Sequence, residues 1–165
     1  MWTIIKIDRK KISFLKKEFF EKIGKDVKFY SPKLKLKRYI NSKICIRENY
    51  LLGNYLLCFH EEFKKKTVLT SLQYCKGLKY FLKNFNSSQI EIENFILKCK
   101  ENEDSEGYIK QSFFDFKNKN KLEFISGPFT NLIFSILEEN KNTIKALIGN
   151  YKISVSKEEN LFRPI

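Results

Sequence analysis

The side chains that could carry out chemistry are few: a single histidine, four cysteines and the neighbouring carboxylates of Glu61 and Glu62. His60 has no Cys or Asp at the spacing of a metal-binding motif, so we expect no metal site. The cysteines at 45, 58, 75 and 99 form no CxxC pair and three lie in apolar runs, which predicts buried free thiols. The two glutamates lie at a charged helix start, where carboxylates are normally solvated.

The sequence also lacks the short motifs that support nucleotide and acyl-transfer chemistry. It contains no GxSxG turn, no phosphate-binding Walker loop and no GxGxxG. Together with the isolated reactive residues, this indicates a protein that is not an enzyme and that carries no cofactor.

Charge is distributed unevenly along the 165 residues, whose formal net charge is +13. Residues 1–100 hold 23 Lys/Arg and 9 Asp/Glu, whereas residues 101–165 hold 9 Lys/Arg and 10 Asp/Glu. A general compositional bias towards lysine would make both parts of the chain similarly basic. A basic module favours a polyanionic partner, because each neutralised phosphate releases condensed counterions. The alternative is a basic surface that is only solvated.

Hydropathy assigns no segment to a membrane. No apolar run approaches the roughly 18–20 residues that a membrane-spanning helix needs. The start, residues 1–6, lacks the order of basic, apolar and small residues that marks a secretory signal. We therefore expect a soluble, cytoplasmic protein.

Residues 1–100 show the periodicities of one α+β domain. Alternating or continuous apolar runs predict strands, and apolar residues at i, i+3, i+4 and i+7 predict helices. Strands are predicted at 2–7, 54–59 and 78–82, helices at 10–24, at 61–74 and behind a capping box at 88–91, and a basic hairpin at 33–47. The strand at 54–59 is apolar on both faces, so we expect it at the centre of a sheet.

The last third of the chain contains an acidic, turn-rich segment, predicted to be a linker at 101–112, and then short apolar runs. These runs predict a small β-barrel with strands at 122–125, 132–137, 143–148 and 151–155. The same region also contains two stripes at helical spacing. They are Phe129, Leu132, Ile133, Ile136 and Leu137, and then Ile144, Leu147, Ile148 and Tyr151. An α-hairpin is therefore an alternative conformation of this region.

Four blocks of sequence together resemble the NusG-type transcription elongation factors over essentially the whole chain. They are Trp2-Thr3-Ile4-Ile5, Leu51-Leu52-Gly53-Asn54-Tyr55-Leu56-Leu57, Cys75-Lys76-Gly77-Leu78-Lys79-Tyr80-Phe81 and the KOW-like Ile125-Ser126-Gly127-Pro128-Phe129. The Gly-Asn-Tyr-Leu block and the Gly-Pro-Phe turn are the specific parts. The ending, Asn160-Leu161-Phe162-Arg163-Pro164-Ile165, most resembles the RfaH-type antiterminators of that family.

The resemblance implies a NusG N-terminal-like α/β sandwich at 1–100, a linker at 101–112 and an SH3-like KOW barrel at 113–165. It implies a non-enzymatic monomer that binds RNA polymerase across its cleft, touching the clamp helices and the opposite lobe. Such a factor suppresses pausing and termination, and its barrel contacts the small ribosomal subunit or another factor.

The resemblance and the basic charge also define candidate site residues. The polymerase-binding residues are expected to be Tyr55, Leu57, Thr67, Phe95 and Ile96, and the KOW turn is Gly127, Pro128 and Phe129. Basic residues near the first helix are expected close to the non-template DNA strand: Lys6, Arg9, Lys10, Lys11, Lys16 and Lys17. The alternative for Tyr55 and Leu57 is that they are ordinary core residues.

Three departures from the family pattern keep other functions open. The second Gly that usually follows the Gly-Pro-Phe turn is missing near Phe134, and Gly53 stands where the family often has Pro. Only Thr67 of Lys65-Lys66-Thr67 matches the His-Thr-Thr run of RfaH-type proteins. A diverged housekeeping NusG and a ribosome-associated KOW protein that binds RNA are therefore the alternatives.

Overall fold

The computed structural model describes residues 1–40, 43–114, 120–157 and 159–165. The α-helices are α1 (Ile12–Ile23), α2 (Lys66–Leu72) and α3 (Gln89–Glu101). The strands are β1 (Trp2–Ile7), β2 (Lys28–Tyr30), β3 (Lys33–Ile40), β4 (Lys43–Tyr50), β5 (Tyr55–Phe59), β6 (Leu78–Phe81), β7 (Lys121–Phe124), β8 (Ile133–Glu139), β9 (Thr143–Ile148), β10 (Tyr151–Ser156) and β11 (Phe162–Pro164). No helix within these ranges is long and apolar enough to cross a membrane.

Contacts divide the chain into two compact units. The first unit is Met1–Pro32 with Tyr50–Lys98, and the second is Lys33–Asn49 with Cys99–Ile165. The basic hairpin predicted at 33–47 is present as β3 and β4, and it belongs to the second unit although it interrupts the first in sequence. Its predicted turn, Asn41-Ser42, lies outside the described residues. The domain boundaries at 100 and 113 rest on changes in composition along the sequence and on the family resemblance, and they stay predictions.

A four-stranded antiparallel sheet, in the order β2-β5-β1-β6, forms the centre of the first unit. Ile5 and Ile7 of β1 are buried against one helical layer, to which α1 contributes Leu15 and Phe19 and α2 contributes Leu72. On the other face, α3 covers the sheet. Leu57 packs there with Phe85, Ile92 and Ile96. The central position predicted for the strand at 54–59 is confirmed, and the unit is a mixed α/β layer structure.

Helix α1 shows how local sequence defines an element of this unit. Asp8 accepts a hydrogen bond from the backbone N–H of Lys10, at 3.1 Å, and starts a 3₁₀ turn at Arg9–Lys11 before the α-helix begins. The helix ends at Gly24, whose φ of +96° is left-handed and suits glycine. The helix predicted at 10–24 is therefore confirmed, with its first residues in 3₁₀ form.

The second unit contains a five-stranded antiparallel sheet in the order β10-β9-β8-β7-β11. The four strands predicted from the apolar runs are confirmed, and the helical alternative is not the conformation of this structure. Closure of the sheet into a KOW barrel stays a prediction. Strand β11 was not predicted, because three residues carry too little periodicity, yet it pairs with β7 by placing Phe162 opposite Phe124.

The segment at 101–112 is packed within the second unit, whereas its acidic composition predicted a linker. The backbone N–H of Ile109 donates to the carbonyl of Lys33 at 2.8 Å, and the Ile109 side chain is buried. The Gln111 amide forms two hydrogen bonds with the backbone of Phe162, at 2.8 and 2.9 Å. These bonds attach the segment to β3 on one side and to β11 on the other.

The predicted KOW turn is held by a close contact at Gly127. This residue has a φ of +89°, and its N–H donates to the carbonyl of Lys37 at 2.7 Å. A Cβ placed here would overlap Oδ1 of Asn160. Pro128 is exposed, and the ring of Phe129 packs 5.6 Å from that of Phe124. Glycine is therefore required by both the backbone and the available space.

We expect Gly127→Ala to lower the free energy of unfolding by about 2 kcal/mol, because it combines left-handed strain with the Asn160 contact. Gly149→Ala is the matched control, since Gly149 has a φ of +56° and no heavy atom within 4 Å of the added Cβ. The control should lose about 1 kcal/mol from strain alone. Urea unfolding measures both losses, and equal losses would show that the Asn160 contact is unimportant.

Candidate functional site

One row of side chains remains partly exposed on the α3-facing side of the first unit's sheet. Strand register places Lys6 of β1 between Tyr55 of β5 and Tyr80 of β6. The two phenol oxygens lie 3.2 Å apart, and the Lys6 ammonium lies 5.1 Å and 5.8 Å from the two ring centroids. We call these three residues the tyrosine row. Sequence reasoning missed Tyr80, although it lies in a block that carries the family resemblance.

Electrostatic interactions couple the members of the tyrosine row. Attraction to the phenols of Tyr55 and Tyr80 in their ionised form, followed by hydrogen bonds to them, raises the pKa of Lys6. The hydrogen bond with Tyr80 lowers the pKa of Tyr55, and the same bond raises the pKa of Tyr80. Lys6 therefore stays charged at neutral pH. The row presents a cation held over two aromatic rings, an arrangement that can contact both apolar and acidic groups.

The predicted polymerase-binding residues differ in their access to a partner. Tyr55 and Phe95 are half-buried, and Thr67 is exposed at the start of α2. Leu57 and Ile96 are only 1% and 5% exposed, because α3 covers this part of the central strand. Their assignment as direct contacts is corrected accordingly. They form the apolar base of the surface, which agrees with the core interpretation of Leu57.

Arg9 was predicted to lie near DNA, but its guanidinium group holds the loop between β4 and β5. Nε and Nη2 donate to the carbonyl of Gly53 at 2.9 and 2.6 Å, and Nη2 also donates to the Tyr55 carbonyl at 3.0 Å. Ser31 Oγ accepts a further bond at 2.8 Å, and the guanidinium carbon lies 3.7 Å from the ring centroid of Tyr50. This set of contacts is structural.

The other predicted basic residues lie on or next to α1. Lys10, Lys11 and Lys17 are exposed; the ammonium groups of Lys11 and Lys17 lie 3.7 and 3.8 Å from Asp8 and Glu21. Such exposed ion pairs contribute little to stability, so these lysines are available to a ligand. Lys16 is half-buried, with its ammonium 5.3 Å from the ring centroid of Phe29.

A shallow depression of about 400 Å³ lies on this face of α1. Its lining residues are Ser13, Lys16, Lys17, Phe20, Glu21 and Lys25. Sequence reasoning missed Phe20 and Lys25 as surface residues, and the Phe20 side chain is 38% exposed. The spacing 13, 16, 17, 20 and 21 follows one helical face and would have identified this surface. Lysines beside an exposed aromatic ring suit a nucleic-acid strand.

The reactive side chains have structural surroundings. His60 Nδ1 accepts a hydrogen bond from the N–H of Glu62 at 3.2 Å, and it caps a 3₁₀ turn at Glu61–Lys64. Cys58, Cys75 and Cys99 are buried free thiols, as predicted, and Cys45 is exposed. Burial raises the pKa of Cys58 well above its usual value. Within the described ranges, no three His, Cys, Asp or Glu side chains form a group that could hold a metal ion.

Comparison with known proteins yields a likeness to solved structures only. No protein-family model matches the chain, and no curated protein matches it. The solved structures that it matches include a chain from the crystal structure of the MjSpt4:Spt5 complex in conformation B. The match covers 100% of this chain and 98% of that chain, with 15% identity and a TM-score of 0.34. At this level the likeness does not assign the chain to a family.

We expect Arg9→Lys to destabilise the first unit by about 2 kcal/mol, because one ammonium cannot reproduce the forked hydrogen bonds and the ring contact. Lys10→Gln, at an exposed neighbouring position, should change the free energy of unfolding by less than about 0.5 kcal/mol. Urea unfolding of both variants checks this difference. If Arg9→Lys is as stable as the parent chain, the loop does not depend on the guanidinium group.

Proposed function

We propose that this chain is a non-enzymatic transcription elongation factor of the NusG type, which binds RNA polymerase through its first unit. One observation carries the proposal. The tyrosine row forms a partly exposed aromatic surface in the same sequence blocks, at 51–57 and 75–81, that carry the family resemblance. The half-buried ring of Phe95 belongs to the same side of the sheet.

The construction of this surface suits protein binding. Aromatic side chains on a well-packed base act as binding hot spots, because they bury a large area while losing little conformational freedom. Here the base is the cluster of Leu57, Phe85, Ile92 and Ile96, which packs between β5 and α3. Tyr55 is further fixed through its backbone, whose carbonyl accepts a bond from Arg9 at 3.0 Å. The clamp helices of the polymerase are the proposed partner, and Thr67 is the proposed contact with the opposite lobe.

The exposed face of α1 provides the nucleic-acid contact in this proposal. Lys10, Lys11 and Lys17 supply charges for phosphates, and Phe20 supplies an exposed ring. A single strand offers both phosphates and unstacked bases, so the proposed ligand is the non-template DNA strand of the transcribing polymerase. Arg9 is excluded from this set because its guanidinium group is hydrogen-bonded to the β4–β5 loop.

The double variant Tyr55→Ala/Phe95→Ala should weaken binding to a reconstituted elongation complex by at least about tenfold, since each buried aromatic anchor contributes about 1.5–3 kcal/mol. Tyr74→Ala/Ile90→Ala is the matched control, because these side chains are 83% and 72% exposed and lie outside the proposed surface. It should bind like the parent chain. Circular dichroism confirms that both variants fold, and unchanged binding by the folded Tyr55/Phe95 variant would refute this surface.

The triple variant Lys10→Gln/Lys11→Gln/Lys17→Gln should bind an elongation complex about tenfold more weakly when the non-template strand is present. It should bind like the parent chain when that strand is omitted. Lys64→Gln/Lys83→Gln/Lys152→Gln removes the same charge from three exposed lysines elsewhere and serves as the control. An equal loss in both triple variants would mean that only overall charge matters.

Two alternatives predict different results in these assays. A ribosome-associated KOW protein would bind small ribosomal subunits and would fail to bind the elongation complex. A specialised RfaH-like antiterminator, our finer proposal, and a diverged housekeeping factor would both bind polymerase. A second NusG-type gene in the same genome would favour the specialised role, because the housekeeping function would then be supplied separately.

A further inference from the structure

A basic cleft lies in the second unit, next to the predicted KOW turn. Its volume is about 530 Å³. It is lined by β3, by the packed segment at 104–112 and by three loops, which lie around Ser126, Asn142 and Glu159. Five lysines face it, namely Lys35, Lys37, Lys110, Lys141 and Lys157, against two carboxylates, Asp104 and Glu159. The lining of the cleft therefore carries more positive than negative charge.

Among the residues that the structure describes, two of these five lysines are paired with carboxylates and three are not. Lys35 pairs with Glu106, and Lys157 pairs with Glu139 at 2.7 Å. Lys37, Lys110 and Lys141 are exposed, and none of them forms an ion pair with a carboxylate in the described parts of the chain. Three like charges around one concave surface repel each other, and a bound polyanion would relieve that repulsion while releasing its counterions.

The walls of the cleft are already organised. Asp104 accepts hydrogen bonds from the backbone N–H groups of Glu106 and Tyr108, both at 2.9 Å, which shapes one wall. The Tyr108 hydroxyl donates to Glu48 at 3.3 Å, and Gln111 is bonded to β11 as described. Ser126, which also lines the cleft, accepts through Oγ a hydrogen bond from the N–H of Leu161 at 2.7 Å. A ligand would therefore find a largely preformed site.

We propose that this cleft binds single-stranded RNA. The lysines suit phosphates. The half-buried Tyr108 ring, with the Lys35 ammonium 5.5 Å from its centroid, also lines the cleft and can contact an unpaired base. The carboxylates of Asp104 and Glu159 would repel a ligand that carried only phosphates, but they can accept hydrogen bonds from ribose 2′-hydroxyls and base amino groups. A duplex keeps its base edges paired, and DNA lacks the hydroxyl. The site does not depend on the polymerase surface proposed for the first unit.

The test is fluorescence anisotropy on the full chain without polymerase, using a labelled, unstructured 12-nucleotide RNA and the DNA of the same sequence. The variant is Lys37→Gln/Lys110→Gln/Lys141→Gln. It should bind RNA about tenfold or more weakly, and the slope of log affinity against log salt should fall by about 2. The parent chain should bind the RNA more tightly than the DNA.

One control assigns any loss to the cleft. Lys64→Gln/Lys83→Gln/Lys152→Gln carries the same change in charge at exposed positions outside both proposed nucleic-acid surfaces. It should keep RNA affinity within about twofold of the parent chain, and thermal melting confirms that both variants fold. No RNA binding by the parent chain, an equal loss in the control, or equal affinity for the DNA would each overturn the proposal.

Discussion

The alternation of side chains along β1 determines how the first unit is built. Ile5 and Ile7 point to the layer formed by α1 and α2, while Ile4 points to the layer formed by α3. A strand that is apolar on both faces must be covered on both faces, so helices lie on each side of the sheet. The pattern is broken at Lys6, and its register partners Tyr55 and Tyr80 stay partly exposed. The proposed protein-binding surface exists because the apolar alternation ends there.

Arg9 connects this core to the surface. Its guanidinium group binds the carbonyls of Gly53 and Tyr55, and thereby holds the loop from which β5 begins. A lysine would supply charge but only a compact ammonium group, whereas the planar fork satisfies several acceptors at once. Arg9 therefore acts on the tyrosine row indirectly, by fixing the backbone that carries Tyr55. One basic residue can thus be essential to a binding surface without contacting the partner.

Placement of the hairpin β3–β4 changes how charge is distributed between the two units. In sequence, residues 101–165 are close to neutral, but the second unit also includes Lys33–Asn49. With these residues it holds 16 Lys/Arg and 11 Asp/Glu, and the first unit holds 16 and 8. Both units are consequently basic. This is why each unit contains its own candidate nucleic-acid surface, one on α1 and one in the cleft beside β3.

Local sequence by itself determined most of the elements: the strand at 2–7, the helix behind Lys10, the central strand at 54–59 and the four strands of the last third. Periods of 2.0 and 3.6 residues are properties of a short window, so they can be read without knowing the partner segment. The free thiols followed from the same apolar runs. The exposed face of α1 could equally have been predicted from its helical spacing, although Phe20 and Lys25 were not named as part of it.

Only the tertiary structure decided which of these faces are covered. Leu57 and Ile96 are buried because α3 lies over β5. The guanidinium group of Arg9 is hydrogen-bonded to the carbonyl of Gly53, which is 44 residues away in sequence. The segment at 101–112 is packed rather than free because it pairs with β3 and β11, and acidic composition does not report such pairing. Each of these outcomes depends on contacts between residues far apart in sequence, whose geometry no local pattern contains.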